Sequence, residues 1–406
     1  MSDPAQPSAL PMTGVRVLDV ATFIAAPFAA SILGEFGAEI VKIEQPGAGD
    51  PWRRYGTPSA RDDSSLAWLT EARNKRSVTL DLRHPEGKAL FLRLVADADV
   101  VCENFRPGTM EKWGLGYDAL AAVNPGIVML RVSGYGQTGP NRERPGFARI
   151  AHAFGGLTHL AGMPDGPPVT PGSTSLGDYM TGMYGAIGVL MALRARDATG
   201  RGQVVDVALY EPVFRVLDEL APAYAADGTV RGREGMGTAN ACPHGHFQCG
   251  DGRWVAIACT SDKMFARLAA AMGDRDLASE ARFGRVQERL RRRDEVDGMV
   301  GDWARSMPRD RVMERCLAAE VPIGPIHSID EIFQDPHFAA RENLLRISDP
   351  EVGEVTIPGV VPRLSATPGR VARLGPALGE ATDDVYRGLL GLTEAEVAAL
   401  RAKGVI

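Results

Sequence analysis

The residue best equipped for chemistry is Asp178, in the stretch Pro171-Gly172-Ser173-Thr174-Ser175-Leu176-Gly177-Asp178-Tyr179, a turn that opens onto a long apolar helix. In a first helical turn a carboxylate meets the positive end of the helix dipole and N–H groups without intrahelical partners, which predicts an ionised side chain. An ionised carboxylate with no charged neighbour in sequence can attack an activated acyl group. Acidic residues at this position also serve as ordinary helix caps, so the setting alone does not separate catalysis from capping. Basic residues are mostly arginine, which sets Lys42, Lys75 and Lys112 apart as possible partners for phosphate.

Other patterns lead away from chemistry. Gly134-Tyr135-Gly136-Gln137-Thr138-Gly139 matches GxGxxG after a strand, but Pro140 to Pro145 continue as loop. A dinucleotide fingerprint needs a helix there to hold the pyrophosphate, so no nicotinamide site is expected. Cys242, His244, His246 and Cys249 offer soft ligands at a spacing that matches no common zinc motif. In an extended segment the first three face one way and Cys249 the other, so no metal is expected. No GxSxG elbow and no HExxH occur, and His84, His152, His159, His327 and His337 form no cluster. The stripe Met180, Met183, Tyr184, Ile187, Leu190 and Met191 after Asp178 is expected to face the core.

The elements that must position Asp178 read as alternating strands and helices. Strands are expected at 15–20, 39–44, 100–104, 127–132 and 204–209. Pro27 and Pro85 start intervening helices. Near-continuous apolar strands in β-α-β order predict a parallel sheet covered on both faces, with ligands at the carboxyl ends of its strands. Residues 1–225 are thus expected to form a large domain of Rossmann-like α/β type. Residues 226–325 form a linker and a smaller α+β domain with a hairpin turning at Gly250-Asp251-Gly252, and residues 326–406 return to the large domain.

At 406 residues with 45% hydrophobic and 24% charged residues, the composition is that of a two-domain globular protein. A net charge of −6 argues against nonspecific binding to nucleic acid or an anionic membrane, and no apolar run is long enough to span a bilayer. Met1 to Pro7 lack the features of a secretory signal and read as a short disordered lead-in. The five scattered cysteines suit free thiols in a reducing cytoplasm.

Several stretches together resemble the class III CoA-transferases (the CaiB/BaiF, or formyl-CoA transferase, family). They are Val17-Leu18-Asp19 with Ala26-Pro27, Gly37 to Glu44 with Gly49-Asp50, and Asn74-Lys75-Arg76-Ser77 with Leu80-Asp81. Glu103 to Gly108, Gly134-Tyr135-Gly136, Gly177-Asp178, Gly200 to Gln203 and Pro322 to Pro325 complete the set. The resemblance implies a Rossmann-like large domain, a small domain on linkers and an interlocked dimer, either a homodimer or the active half of a heteromer. It also implies that Asp178 attacks an acyl-CoA donor such as succinyl-CoA, passing through an aspartyl anhydride and an aspartyl-CoA thioester before CoA reaches a carboxylic acid acceptor. CoA contacts are implied at Phe23, Ala25, Asn74, Lys75, Asn104, Phe105 and Lys112. Coenzyme A acts as substrate, without metal or NAD.

Two departures from the family pattern point to an acid larger than formate or oxalate. Ile24 stands where formyl-CoA transferase has a glutamine, and Thr238 to Ala241 replace a glycine-rich flap. An α-methylacyl-CoA racemase is the alternative within this fold. Its second proton-transfer residue is a histidine, and Phe147 occupies that position, which favours transfer over racemisation. Arg53, Arg144 and Arg149 are candidate anchors for a second carboxylate on the acid.

Overall fold

The computed structural model describes residues 9–172 and 174–406, so the expected lead-in lies outside the described residues. Two compact units are present. The larger contains the chain up to Leu157, Gly172–Asp218 and Ala339–Ile406; the smaller contains Thr158–Pro171 and Glu219–Phe338. The smaller unit therefore begins before residue 226 and takes in a segment, Thr158–Pro171, from within the region assigned from sequence to the large domain.

The large unit is built on β1 (Arg16–Asp19), β2 (Glu39–Glu44), β3 (Lys75–Thr79), β4 (Val100–Glu103), β5 (Val128–Ser133) and β6 (Val204–Ala208). All pairings are parallel, in the order β3-β2-β1-β4-β5-β6. This doubly wound order reverses between β1 and β4, and the crevice at such a reversal is where ligands bind in open α/β sheets. β3 has no apolar run to announce it in the sequence. Its Lys75 and Ser77 are buried all the same, because their polar ends pair inside the protein.

Apolar layers cover both faces of the sheet. On one, Leu18, Val41, Val78 and Val101 pack with the helix Pro85–Ala96 and with Val385, Tyr386 and Val397 from the C-terminal helices. On the other, Val17, Ile40, Val100 and Leu130 pack with the helices Ala25–Glu35 and Leu176–Thr199. The long helix buries small residues, Gly182, Gly185 and Ala186 among them. A Cβ on Gly182 would lie 2.6 Å from the Ala25 carbonyl oxygen, so only glycine permits this approach. Of the large apolar stripe expected in the core, Met180 is buried, but Met183, Tyr184, Ile187, Leu190 and Met191 are exposed. Close helix packing selects for small side chains, and the bulky ones are left on the outer face.

The small unit has a three-stranded antiparallel sheet of β7 (His244–Gln248), β8 (Trp254–Ala258) and β9 (Ile323–Pro325). Its core gathers Phe247, Val255, Phe265, Leu268, Phe283 and Val300, together with Cys242 and Cys249. Ser261 caps the helix Asp262–Met272, its hydroxyl accepting the Met264 N–H. A further hairpin in the large unit joins β10 (Leu344–Asp349) to β11 (Gly353–Pro358).

A network of buried charges lies where β1, β2 and β3 meet. The Lys75 ammonium donates to Asp19 Oδ2 at 2.8 Å and to the Pro27 carbonyl at 2.7 Å. Lys42 lies 3.0 Å from Asp50 Oδ2 and 3.7 Å from Asp19 Oδ1, and it also donates to the Ala21 carbonyl. Burial alone would push both lysines down. Asp19, Asp50 and Glu44 more than offset it for Lys42, which ends above its ordinary value, whereas Lys75 ends below its own. Removing one member leaves an uncompensated charge in the interior, which costs more than the pair itself contributes. Asp19→Ala should lower stability by about 3–5 kcal/mol, read as a fall in the urea midpoint of the large unit. A loss below about 1 kcal/mol would show that these charges are effectively solvated.

Candidate functional site

Asp178 opens into a cavity of about 230 Å³ at the carboxyl ends of β1, β4, β5 and β6. Thr22 to Ala25 come from the turn after β1, Asn104 to Pro107 from the loop after β4, and Ser133 and Gly134 from the end of β5. The sheet reversal thus places four chain segments around one carboxylate, which enters from the first turn of the helix Leu176–Thr199.

The environment of Asp178 departs from the sequence expectation. Among the described residues no side chain pairs with its carboxylate, and burial pushes it up from its ordinary 3.8 to about 7. The dipole of the helix does not prevail because the nearby amides are committed elsewhere. The Gly177 N–H donates to His152 Nε2 at 2.8 Å, and the Asp178 N–H donates to the Ser175 carbonyl at 2.9 Å. His152 is itself buried and held below its ordinary range by burial, and by Arg149 to a lesser extent; its Nε2 acts as an acceptor, so the ring is neutral. The result is a desolvated carboxylate poised near neutrality, a property more typical of functional positions than of caps.

Of the implied CoA contacts, Phe23, Ala25, Asn104 and Phe105 line this cavity. Phe23 adopts φ +60° and meets Phe147 edge to face, ring centroids 6.2 Å apart. Asp50 holds that strained turn by accepting the Phe23 N–H at 3.0 Å. Ala25 begins a helix whose N-cap, Ile24, supplies no side-chain bond, leaving first-turn amides beside the cavity. Asn104 spends its amide on the loop opposite: Oδ1 accepts the Thr22 N–H at 2.9 Å and Nδ2 donates to the Thr22 carbonyl at 2.6 Å. Phe105 packs edge to face on Trp113.

Asn74 and Lys75 are placed differently. Asn74 accepts the Ala372 N–H and donates to the Arg370 carbonyl, and Lys75 is fully engaged with Asp19 and Pro27. Neither borders the cavity of Asp178. Lys112 is exposed and lines a neighbouring cavity of about 610 Å³ with Arg106, Arg131 and Arg142. A smaller space of about 110 Å³ shares Thr22 and Phe105 with the Asp178 cavity and carries Gln45 and Arg83. Of the candidate carboxylate anchors, Arg53 is buried against Glu44 and Trp68, Arg149 does not line the cavity, and Arg144 does.

Nothing in the sequence distinguishes His152, Ser133, Gln45 or Arg83, which lie far from Asp178 along the chain and carry no motif. Their placement follows from strand order alone. Among the described residues no group of three or more His, Cys, Asp or Glu side chains is arranged to hold a metal ion. Cys242 and Cys249 are both buried free thiols, Cys242 with its sulfur 3.6 Å from Asp297 and pushed up to about 12 chiefly by burial. The GxGxxG segment is a loop with Gly136 and Gly139 at positive φ, and no helix follows it before Ala148.

Known proteins match this chain along almost its whole length. A model of CoA-transferase family III covers residues 12–382. Over 397 residues the chain is 58% identical to the succinyl-CoA–L-malate CoA-transferase alpha subunit of Chloroflexus aurantiacus, spanning 98% of this chain and 93% of that one. It is 57% identical over 399 residues to the beta subunit from the same species, spanning 98% of each. A crystal structure of a CaiB/BaiF family protein from Brucella suis superposes with a TM-score of 0.83 at 32% identity, over 94% of this chain and 100% of that one.

The raised carboxyl of Asp178 carries a stability signature. Below about pH 4 it is protonated in folded and unfolded chains alike and contributes nothing. Between 3.8 and about 7 the unfolded chain loses the proton while the folded one keeps it, so stability falls as pH rises. Above about 7 the whole penalty is present, at most about 4 kcal/mol. Asp178→Asn should therefore be more stable than the parent at pH 8, with a difference that vanishes by pH 4. Equal melting temperatures of the two proteins at pH 8 would mean that the carboxylate is solvated.

Proposed function

This chain belongs to CoA-transferase family III, and we propose that it moves CoA from succinyl-CoA to L-malate or a closely related dicarboxylic acid through a covalent intermediate on Asp178. The observation that carries the mechanism is an unpartnered, desolvated carboxylate in a cavity at the sheet reversal. The substrates are those named for the Chloroflexus relatives.

In the first step an Asp178 carboxylate oxygen attacks the thioester carbonyl carbon. The C–S bond breaks and CoA leaves as thiolate, giving a mixed anhydride. The thiolate then attacks the aspartyl carbonyl, releases succinate and leaves CoA on Asp178 as a thioester. The acceptor carboxylate attacks that thioester and expels the thiolate, which takes the acyl group from the new anhydride and restores Asp178. Each step needs a nucleophile that is readily expelled again, and desolvation raises the reactivity of a carboxylate that water would otherwise stabilise. The uncapped amides at the start of the helix Ala25–Glu35 stand beside the cavity as donors to the developing oxyanion.

Phe23, Ala25 and Phe105 line the thioester end of the CoA path. The cavities bearing Gln45 and Arg83, and Lys112 and Arg142, each share lining residues with it and offer amide and cationic groups to the rest of the CoA molecule. Asn74 and Lys75 support the fold rather than the ligand. The exposed stripe Met183, Tyr184, Ile187, Leu190 and Met191 is the kind of surface that a second subunit covers. The chain is almost equally similar to relatives named as alpha and beta subunits, which suits a homodimer of interlocked copies. Phe147 at the cavity rim has no proton to exchange, which disfavours racemisation.

The test is covalent capture. Succinyl-CoA with hydroxylamine should inactivate the protein by converting Asp178 to a hydroxamate, found by peptide mass spectrometry, and either reagent alone should do nothing. Without donor the resting carboxylate is inert to hydroxylamine. Asp178→Asn should lose at least about three decades of exchange between succinyl-CoA and L-malate. Solvent deuterium in the α-position of a 2-methylacyl-CoA, with Asp178 unmodified, would assign the chain to racemisation instead.

A further inference from the structure

The cavity around Asp178 has an uneven charge distribution. Asp178 is the one acidic residue among those that line it, and the cations are Arg106 and Arg144. Among the described residues neither guanidinium has a hydrogen-bond or ion-pair partner, although nearly every other arginine beside a cavity in this unit is tied to a carboxylate. Arg106 also borders the adjoining cavity with Lys112 and Arg142, so it is shared between two spaces. Arg144 borders the Asp178 cavity alone.

The backbone around Arg144 is firmly placed. Gly146, two residues on, lies against Gly134 at the end of β5, and a Cβ added to Gly146 would fall 2.5 Å from the Gly134 Cα. The Arg144 N–H donates to the Asn141 carbonyl at 2.9 Å, and Phe147 packs on Phe23. Ile24, Val132 and Leu209 add apolar surface to the lining of the same cavity. At about 230 Å³ the space is smaller than the roughly 300–1,000 Å³ of a cleft for a drug-sized ligand, so it suits the acyl end of the substrate and not the whole of it.

We propose that Arg144 binds the distal carboxylate of a dicarboxylic acyl group while the proximal one reacts at Asp178, and so makes the enzyme selective for diacids. This rests on the assignment of dicarboxylic substrates above and goes on to name the residue that reads them. A guanidinium with no partner of its own takes a carboxylate through two parallel N–H donors without first breaking another pair. A monocarboxylic chain of equal length leaves that cation unanswered and gains nothing from it.

The experiment compares succinyl-CoA with butyryl-CoA as donors, and succinate with butyrate as acceptors, for the parent and for Arg144→Gln and Arg144→Lys. In the parent the diacid should be preferred in each pair. Arg144→Gln should lower kcat/KM for succinyl-CoA and succinate by about 10- to 100-fold, the worth of a charge-assisted hydrogen bond. Butyryl-CoA and butyrate should stay within about twofold of the parent, and Arg144→Lys should recover part of the diacid preference. An equal loss for both donors would show that Arg144 binds the CoA moiety and would overturn the inference, as would no loss for either. A parent that does not prefer diacids, yet still forms the Asp178 hydroxamate, would refute the substrate assignment and leave the covalent mechanism standing.

Discussion

The buried pairing of Asp19, Lys42, Lys75 and Asp50 is the constraint on which the site depends. These charges come from the end of β1, from β2, from β3 and from the loop after β2, and none can be satisfied without the others in place. Their remaining valences go to backbone: Lys75 to the Pro27 carbonyl, Lys42 to the Ala21 carbonyl, Asp50 to the Phe23 N–H and Asp19 to the Ala21 N–H. The turn Ala21–Pro27 is thereby held in a conformation that includes a phenylalanine at positive φ, a placement persisting only where the surroundings over-determine it. That turn forms one wall of the cavity and starts the helix against which the helix of Asp178 packs.

Asp178 differs from an ordinary first-turn aspartate in what its carboxylate meets. A cap is stabilised by the amides it accepts; Asp178 is surrounded by amides already spent on His152 and on the Ser175 carbonyl. Neutral His152 supplies an acceptor without a charge, so it fixes the turn and leaves the carboxylate unstabilised. The protein thus gives up stability at one residue to keep its carboxylate weakly solvated, a common arrangement where activity and stability compete.

The long helix serves two purposes with two faces. Its glycines and alanines let it lie close on the helix Ala25–Glu35, which fixes Asp178 relative to the turn after β1. Its outward methionines, isoleucine and leucine, Met183, Ile187, Leu190 and Met191, are left exposed.

The sequence by itself determined the class of fold and the position of most strands of the parallel sheet, and it singled out Asp178 as the candidate for reaction. Each is written in local terms: apolar runs of strand length, prolines at helix starts, and an acid in a first helical turn after a glycine. It also determined the family, through short motifs in a fixed order. Local pattern could not reveal β3, whose buried lysine and serine read as surface until their partners Asp19 and Glu44 are brought to them by the fold. Nor could it tell which lysines are committed inside the fold: Lys42 and Lys75 are consumed by carboxylates distant in sequence, while Lys112 lies exposed at a cavity. The raised carboxyl of Asp178, the bond from the Gly177 N–H to His152, and the placement of Arg144, but not Arg53 or Arg149, at the cavity likewise appear only in the tertiary structure. Desolvation and ion pairing depend on what lies within a few ångströms in space, and strand order, not chain order, decides that.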